Sequence, residues 1–212
     1  MKKAFTTYQK RYIKSKHELE VKRGQWDQFA KETSAQLKNM AEDLNSIPYY
    51  EKAYTNSSSS AILTIKNLNS VFFFLGKHST GIVTSKRDLN TGTISLSSDY
   101  EDSGCLTFAQ LPTGGVIVTM TPSKSQYFEW RDKYILLREF SSPTKIKQSF
   151  INRVVKNYLR YALMTAHFGK ETLWDRFWIW RLKFRFSMLP GYIKTVVALS
   201  KNVASAIHAG IQ

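Results

Sequence analysis

Hydrophobic positions change their spacing twice along the chain, and the two changes divide it into three segments. In residues 1–55 the apolar residues Tyr12, Leu19, Trp26 and Phe29, then Ala30, Leu37, Met40, Ala41 and Leu44, recur at helical intervals. Glu18 and Lys22 add an i,i+4 pair in the favourable order. Gly24 interrupts the pattern and predicts a break or bend. The sevenfold run Tyr12, Leu19, Trp26 lapses at Thr33, so packing on the chain's own core is favoured over a dimeric coiled coil. Pro48 ends the helix, and Tyr49–Ser60, with its serine run, reads as a linker.

Residues 56–140 change to the pattern of β-structure. Ala61–Lys66, Val71–Leu75, Gly81–Ser85, Thr93–Ser97, Cys105–Ala109, Gly115–Met120 and Tyr134–Arg138 are the expected strands. Turn signals separate them, among them Asn90-Thr91-Gly92, Asp102-Ser103-Gly104 and Pro112-Thr113-Gly114-Gly115. Connections this short force neighbouring strands to pair antiparallel. The expectation is therefore α+β: an N-terminal helical segment, a central antiparallel sheet of five to seven strands as a meander or rolled sheet, and a C-terminal basic helical layer. A parallel nucleotide-binding sheet is excluded, because no helix follows any strand until Ser141. Gln126–Lys133 is expected to be a loop or short helix, its aromatic cluster covering part of the sheet.

Residues 141–212 return to helical spacing and are expected to pack with the sheet as one domain. Ser142-Pro143 predicts a helix start with a serine cap and proline in the first turn. Ile146, Phe150, Ile151, Val154, Val155, Tyr158, Leu159 and Ala162 form its apolar face, and Gly169 is its expected C-cap. Trp174–Phe186 fits either of two forms. As a strand, Arg181, Lys183 and Arg185 alternate with Trp180, Leu182, Phe184 and Phe186. As a helix, Trp174, Phe177, Trp178 and Arg181 share a side. Pro190-Gly191 breaks the chain, and Tyr192–His208 is expected to be a last helix.

Charge sharpens this division. The chain of 212 residues holds 31 Lys and Arg against 16 Asp and Glu, a formal net charge of +15. Its distribution is uneven: +4 in residues 1–55, +1 in residues 56–143 and +10 in residues 144–212. A localised positive field attracts and steers polyanions. Arg153, Lys156 and Arg160 line one helix face, with Gln148 and Asn152 beside them. Together with Arg181, Lys183 and Arg185 they are the expected phosphate contacts, and Trp178 or Trp180 the expected stacking surface for bases. Nucleic-acid binding is the leading expectation. An anionic membrane surface would use the same Trp and Arg residues. So would an acidic protein partner of a scaffold that self-assembles through its N-terminal helices. A core aromatic cluster with a wet basic edge is the structural alternative.

Motifs of catalysis are missing. Leu75–Thr80 lacks the first glycine and the following helix of a phosphate-binding loop. Asp99–Gly104 begins like a calcium loop but has Gln110 at its twelfth position. Asp88, Asp99, Glu101 and Asp102 are scattered around turns, and His17, His78, His167 and His208 show no metal spacing. Cys105 is alone and lies in an expected strand. No enzyme activity, metal or cofactor is expected. The basic start has no apolar stretch behind it, and with one cysteine a reducing cytoplasm is the expected compartment. The sequon at Asn56 is expected to go unused.

Overall fold

A computed structural model describes residues 2–46, 53–58, 69–88 and 91–184. The element order is α1 (Lys2–Asn45), β1 (Ala53–Ser58), β2 (Ser70–Leu75), β3 (Lys77–Arg87), β4 (Ile94–Asp102), β5 (Cys105–Gln110), β6 (Val116–Thr121), β7 (Ile135–Phe140), a 3-10 turn (Pro143–Lys145), α2 (Gln148–Thr165) and α3 (Leu173–Phe184). The architecture is α+β, as the hydrophobic spacing predicts. Two expected elements, the strand Ala61–Lys66 and the helix Tyr192–His208, lie outside the described residues.

Among the described residues the main sheet has five antiparallel strands in the order β1-β2-β5-β6-β7. Pairing sets Phe73 opposite Leu106, Phe108 opposite Val118 and Met120 opposite Ile135, so one face of the sheet is a continuous apolar layer. The opposite face, with Phe72, Thr107, Ile117 and Thr119, is buried too. That explains why β2, β5 and β6 read as unbroken buried runs instead of an alternation. β1 occupies a stretch that reads as linker. Its serine and asparagine content hides an edge strand, fixed at its first residue by Asn45, whose side chain accepts from the Ala53 N–H at 2.7 Å and donates to the Ala53 carbonyl at 3.1 Å.

α1 crosses the apolar face without interruption. Trp26, Phe29, Thr33, Leu37 and Ala41 are buried, so the stripe runs straight through Thr33; Trp26 meets Phe29, and Phe29 in turn meets Phe108 of the sheet. Gly24 does not break the helix. One glycine costs a helix interior only about 1 kcal/mol, which the buried turns beyond it outweigh. Upstream of Leu19 the helix is exposed, with Tyr8, Tyr12 and Ile13 all more than half open to solvent. The turn before β6 rests on α1, since a Cβ on Gly114 would meet the Lys22 Cβ at 2.7 Å.

β3 and β4 leave the main sheet as a separate hairpin, longer than the predicted strands. Its root is held by buried polar groups. The Tyr158 hydroxyl accepts from the Leu75 N–H at 3.1 Å and contacts the Gly104 carbonyl at 3.1 Å, where one strand leaves the sheet and another enters. Glu101 has a fully buried side chain, and its Oε2 takes the His78 Nε2 at 2.7 Å and the His167 N–H at 2.8 Å. Asp99 takes the Thr80 hydroxyl at 3.0 Å and the Gln126 N–H at 3.2 Å. The acidic residues around these turns are therefore ties between the hairpin, the following loop and the end of α2. The loop after β6 makes two isolated bridges through Lys124, to Asp102 and to Glu129, and contains no helix, and its Trp130 packs against the core.

The helix predicted from Pro143 divides in two. Ser142 makes no capping bond to the helix; its hydroxyl donates to the Gln25 Oε1 of α1 at 2.9 Å. A 3-10 turn follows, and α2 itself begins at Gln148. Phe150, Ile151, Val154, Val155, Tyr158 and Ala162 are buried on its apolar face as predicted, whereas Ile146 lies in the turn before it and Tyr161 and Met164 join the face; Tyr158 is set edge-on to Phe73 at 5.8 Å and Phe150 against Phe140 at 4.9 Å. The C-cap of α2 is Ala166 and not the expected Gly169, which is needed instead for close approach: a Cβ there would lie 2.3 Å from the Leu163 carbonyl oxygen.

Two stability predictions result. Glu101→Ala leaves the His78 and His167 donors without their buried acceptor and is expected to cost about 2–4 kcal/mol in urea unfolding. A loss below about 1 kcal/mol would show that the tie does not hold the hairpin root. Gly24 has open space where a Cβ would go, so Gly24→Ala is expected to raise stability by about 0.5–1 kcal/mol. A decrease would mean that α1 bends there after all.

Candidate polyanion-binding surface

The ambiguous Trp174–Phe186 stretch is helical as far as it is described. Its start is a capping box. Thr172 Oγ1 accepts from the Asp175 N–H at 3.2 Å, and Asp175 Oδ2 accepts from the Thr172 N–H at 3.1 Å and its hydroxyl at 2.6 Å. The spacing Thr-x-x-Asp was the sequence signal for this helix, and it is stronger than the alternation that suggests a strand.

Asp175 also faces α2. Its Oδ1 takes Arg160 Nε at 3.0 Å and Nη2 at 2.6 Å. The Arg160 guanidinium lies 4.7 Å over the ring of Trp178. Ile179 is buried, with Trp178 and Leu182 packed against the core. Two further carboxylates hold the outside of the helix: Lys183 meets Asp132 at 2.5 Å, and Glu171 takes Arg176 at 2.9 Å and Arg131 at 3.5 Å. Burial of Ile179 supplies most of the attachment, about 2 kcal/mol, against about 0–1 kcal/mol for each exposed ion pair. The pairs fix which way the helix faces.

This arrangement sorts the eight predicted contact residues. Arg153 and Lys156 are exposed on α2 and pair with no carboxylate among the described residues. Arg160 and Lys183 are committed to Asp175 and Asp132. Trp178 is half-buried beneath Arg160, which leaves its ring a poor platform for a base. Trp180 and Arg181 are exposed on the side of α3 turned away from Leu182. Arg185 lies outside the described residues. The structure thus does not gather the seven described residues into one site: Arg153 and Lys156 are open on α2, Trp180 and Arg181 are open on α3, and Arg160, Trp178 and Lys183 are engaged in contacts within the fold.

A cleft of about 490 Å³ opens between β7, α2 and α3. Leu137, Phe150, Val154 and Leu182 line its apolar part, and Arg138, Arg153 and Asn157 bring polar groups to it. Arg153 sits 5.7 Å over Phe150 and Arg138 sits 5.0 Å over Phe140, so aromatic rings hold both guanidinium groups. Sequence reasoning missed Arg138, because a single cation within a short strand gives no periodic signal. Asn152 is drawn away from the cleft's donors, its side-chain oxygen accepting from Gln36 of α1 at 2.8 Å.

Burial pushes the Cys105 thiol up to about 12, which keeps it protonated and unreactive. Among the described residues no group of three or more His, Cys, Asp or Glu side chains is placed to hold a metal ion. No described helix is long and apolar enough to cross a membrane. No protein-family model, curated protein or solved structure matches the chain.

The Asp175 carboxyl is held below its ordinary value of 3.8, first by the Thr172 hydroxyl and then by Arg160. A depressed folded-state pKa gives a contribution that is complete above 3.8 and lost as pH falls through the lower folded value. Acid titration is thus expected to release Arg160 from above Trp178 and change tryptophan emission below the usual carboxylate range. Asp175→Asn is expected to abolish that step. An identical acid transition in the variant would remove Asp175 from the account.

Proposed function

We propose that this chain is a nucleic-acid-binding protein that grips the phosphate backbone with the β7–α2 surface. The observation that carries the reading is the cleft: Arg138 and Arg153, from two different elements, flank one concave surface and have no carboxylate partner among the described residues. Lys156 extends the line one turn along α2. Ring contacts beneath both guanidinium groups orient them in advance, which lowers the ordering cost of each phosphate contact. Asn157 adds a neutral donor and acceptor beside them.

The reading is narrower than the one drawn from spacing. Three cations remain for phosphate on this face, since Arg160 and Lys183 are tied to carboxylates. Binding is therefore backbone-directed and weakly sequence-dependent, with steering by the basic C-terminal third adding to the association rate.

Fluorescence anisotropy with labelled single- and double-stranded DNA and RNA, repeated at several salt concentrations, tests it. Three phosphate contacts predict a slope of log affinity against log salt of roughly −2 to −3. Replacing Arg138 and Arg153 by Gln is expected to flatten that slope by about 1 for each residue. A slope near zero for the unmodified chain, or no effect of the pair, would overturn the phosphate assignment.

A further inference from the structure

The outward face of α3 has a different chemistry from the cleft. Leu173, Trp174, Phe177 and Trp180 are 80%, 76%, 53% and 56% exposed, a stripe of large apolar side chains along one helix. Monomeric surfaces rarely leave so much contiguous apolar area open without a use. Arg181 lies within the stripe and Arg176 at its edge. The rings contact each other: Trp174 meets Phe177 edge-on at 6.5 Å, and Phe177 stacks on Trp180 at 5.9 Å.

We infer that this face of α3 docks in the headgroup layer of an anionic lipid bilayer. Charge selects the occupant. Residues 176–212 carry six Lys or Arg and no Asp or Glu. A second copy meeting face to face would bring a second Arg181 to this face and no carboxylate from it. An acidic lipid surface instead offers counter-charge to Arg181, which has no carboxylate partner among the described residues, and it accepts the amphipathic Trp rings at headgroup depth with Leu173 and Phe177 just below. Nucleic acid fits this face less well, because Phe177 and Trp180 already use ring faces on each other. Docking leaves the α2 side of the helix turned away from the lipid.

The test uses the full chain and vesicles of phosphatidylcholine with 30 mol% phosphatidylserine, and vesicles of phosphatidylcholine alone. Sedimentation with the acidic vesicles and a blue shift of tryptophan emission are expected, with at least tenfold weaker binding to the neutral ones. Replacing Trp174, Phe177 and Trp180 together by Ser is expected to lower vesicle binding more than tenfold. These side chains are exposed, so circular dichroism and the urea midpoint of the variant should match the parent. Anisotropy with the oligonucleotides should also be unchanged, which separates this inference from the phosphate assignment on the cleft. Absent binding to acidic vesicles at low salt would overturn it. So would equal binding by the triple variant, a variant that changes only the oligomeric state, or one that loses only nucleic-acid affinity.

Discussion

Three carboxylates, Asp132, Glu171 and Asp175, set the orientation of α3, and the surface chemistry of the C-terminal third depends on that orientation. Each takes a cation from or near the helix, and Asp175 also closes its capping box. In a chain with almost twice as many basic as acidic residues, a carboxylate decides which cations are spent and which stay open. Ile179 supplies the apolar anchor; the carboxylates choose the rotation about it. Trp178 and Leu182 then face inward, and Trp174, Phe177 and Trp180 face out.

The same economy operates at the root of the β3–β4 hairpin. Glu101 and Asp99 are buried on one strand face and receive donors from β3, from the loop after β6 and from the end of α2. The hairpin contributes little apolar surface of its own, with Val83, Ile94 and Leu96 exposed. Directional bonds from two carboxylates and the Tyr158 hydroxyl fix its departure from the sheet. Polar ties therefore place both peripheral elements, the hairpin and α3, on a core built from α1, the five-stranded sheet and α2.

Elements with a long buried stripe were legible in the sequence. Trp26 to Leu44 and Phe150 to Ala162 repeat at helical intervals, and β2, β5 and β6 are short apolar runs between turn signals. Elements held by single polar contacts were not. β1 is an edge strand of small polar residues tied by Asn45, and nothing in its own composition sets it apart from a linker. Ser142 looks like a cap but bonds to α1, a partner 117 residues away that no local pattern reveals. The basic surface was legible as a total charge, because charge adds up regardless of geometry. Its division into paired and open cations was not, because the pairing of Lys183 with Asp132 depends on tertiary placement.

The central claim is that α3 separates two surfaces, a basic cleft on one side and an aromatic face on the other. Flotation of labelled single-stranded RNA with acidic vesicles tests it most directly. The account predicts that the oligonucleotide floats only when the protein is present, bound to both partners at once, and that Arg138→Gln with Arg153→Gln releases the RNA while the protein stays on the vesicles. One-for-one displacement of RNA by vesicles would contradict it, because the two ligands would then be using a single surface.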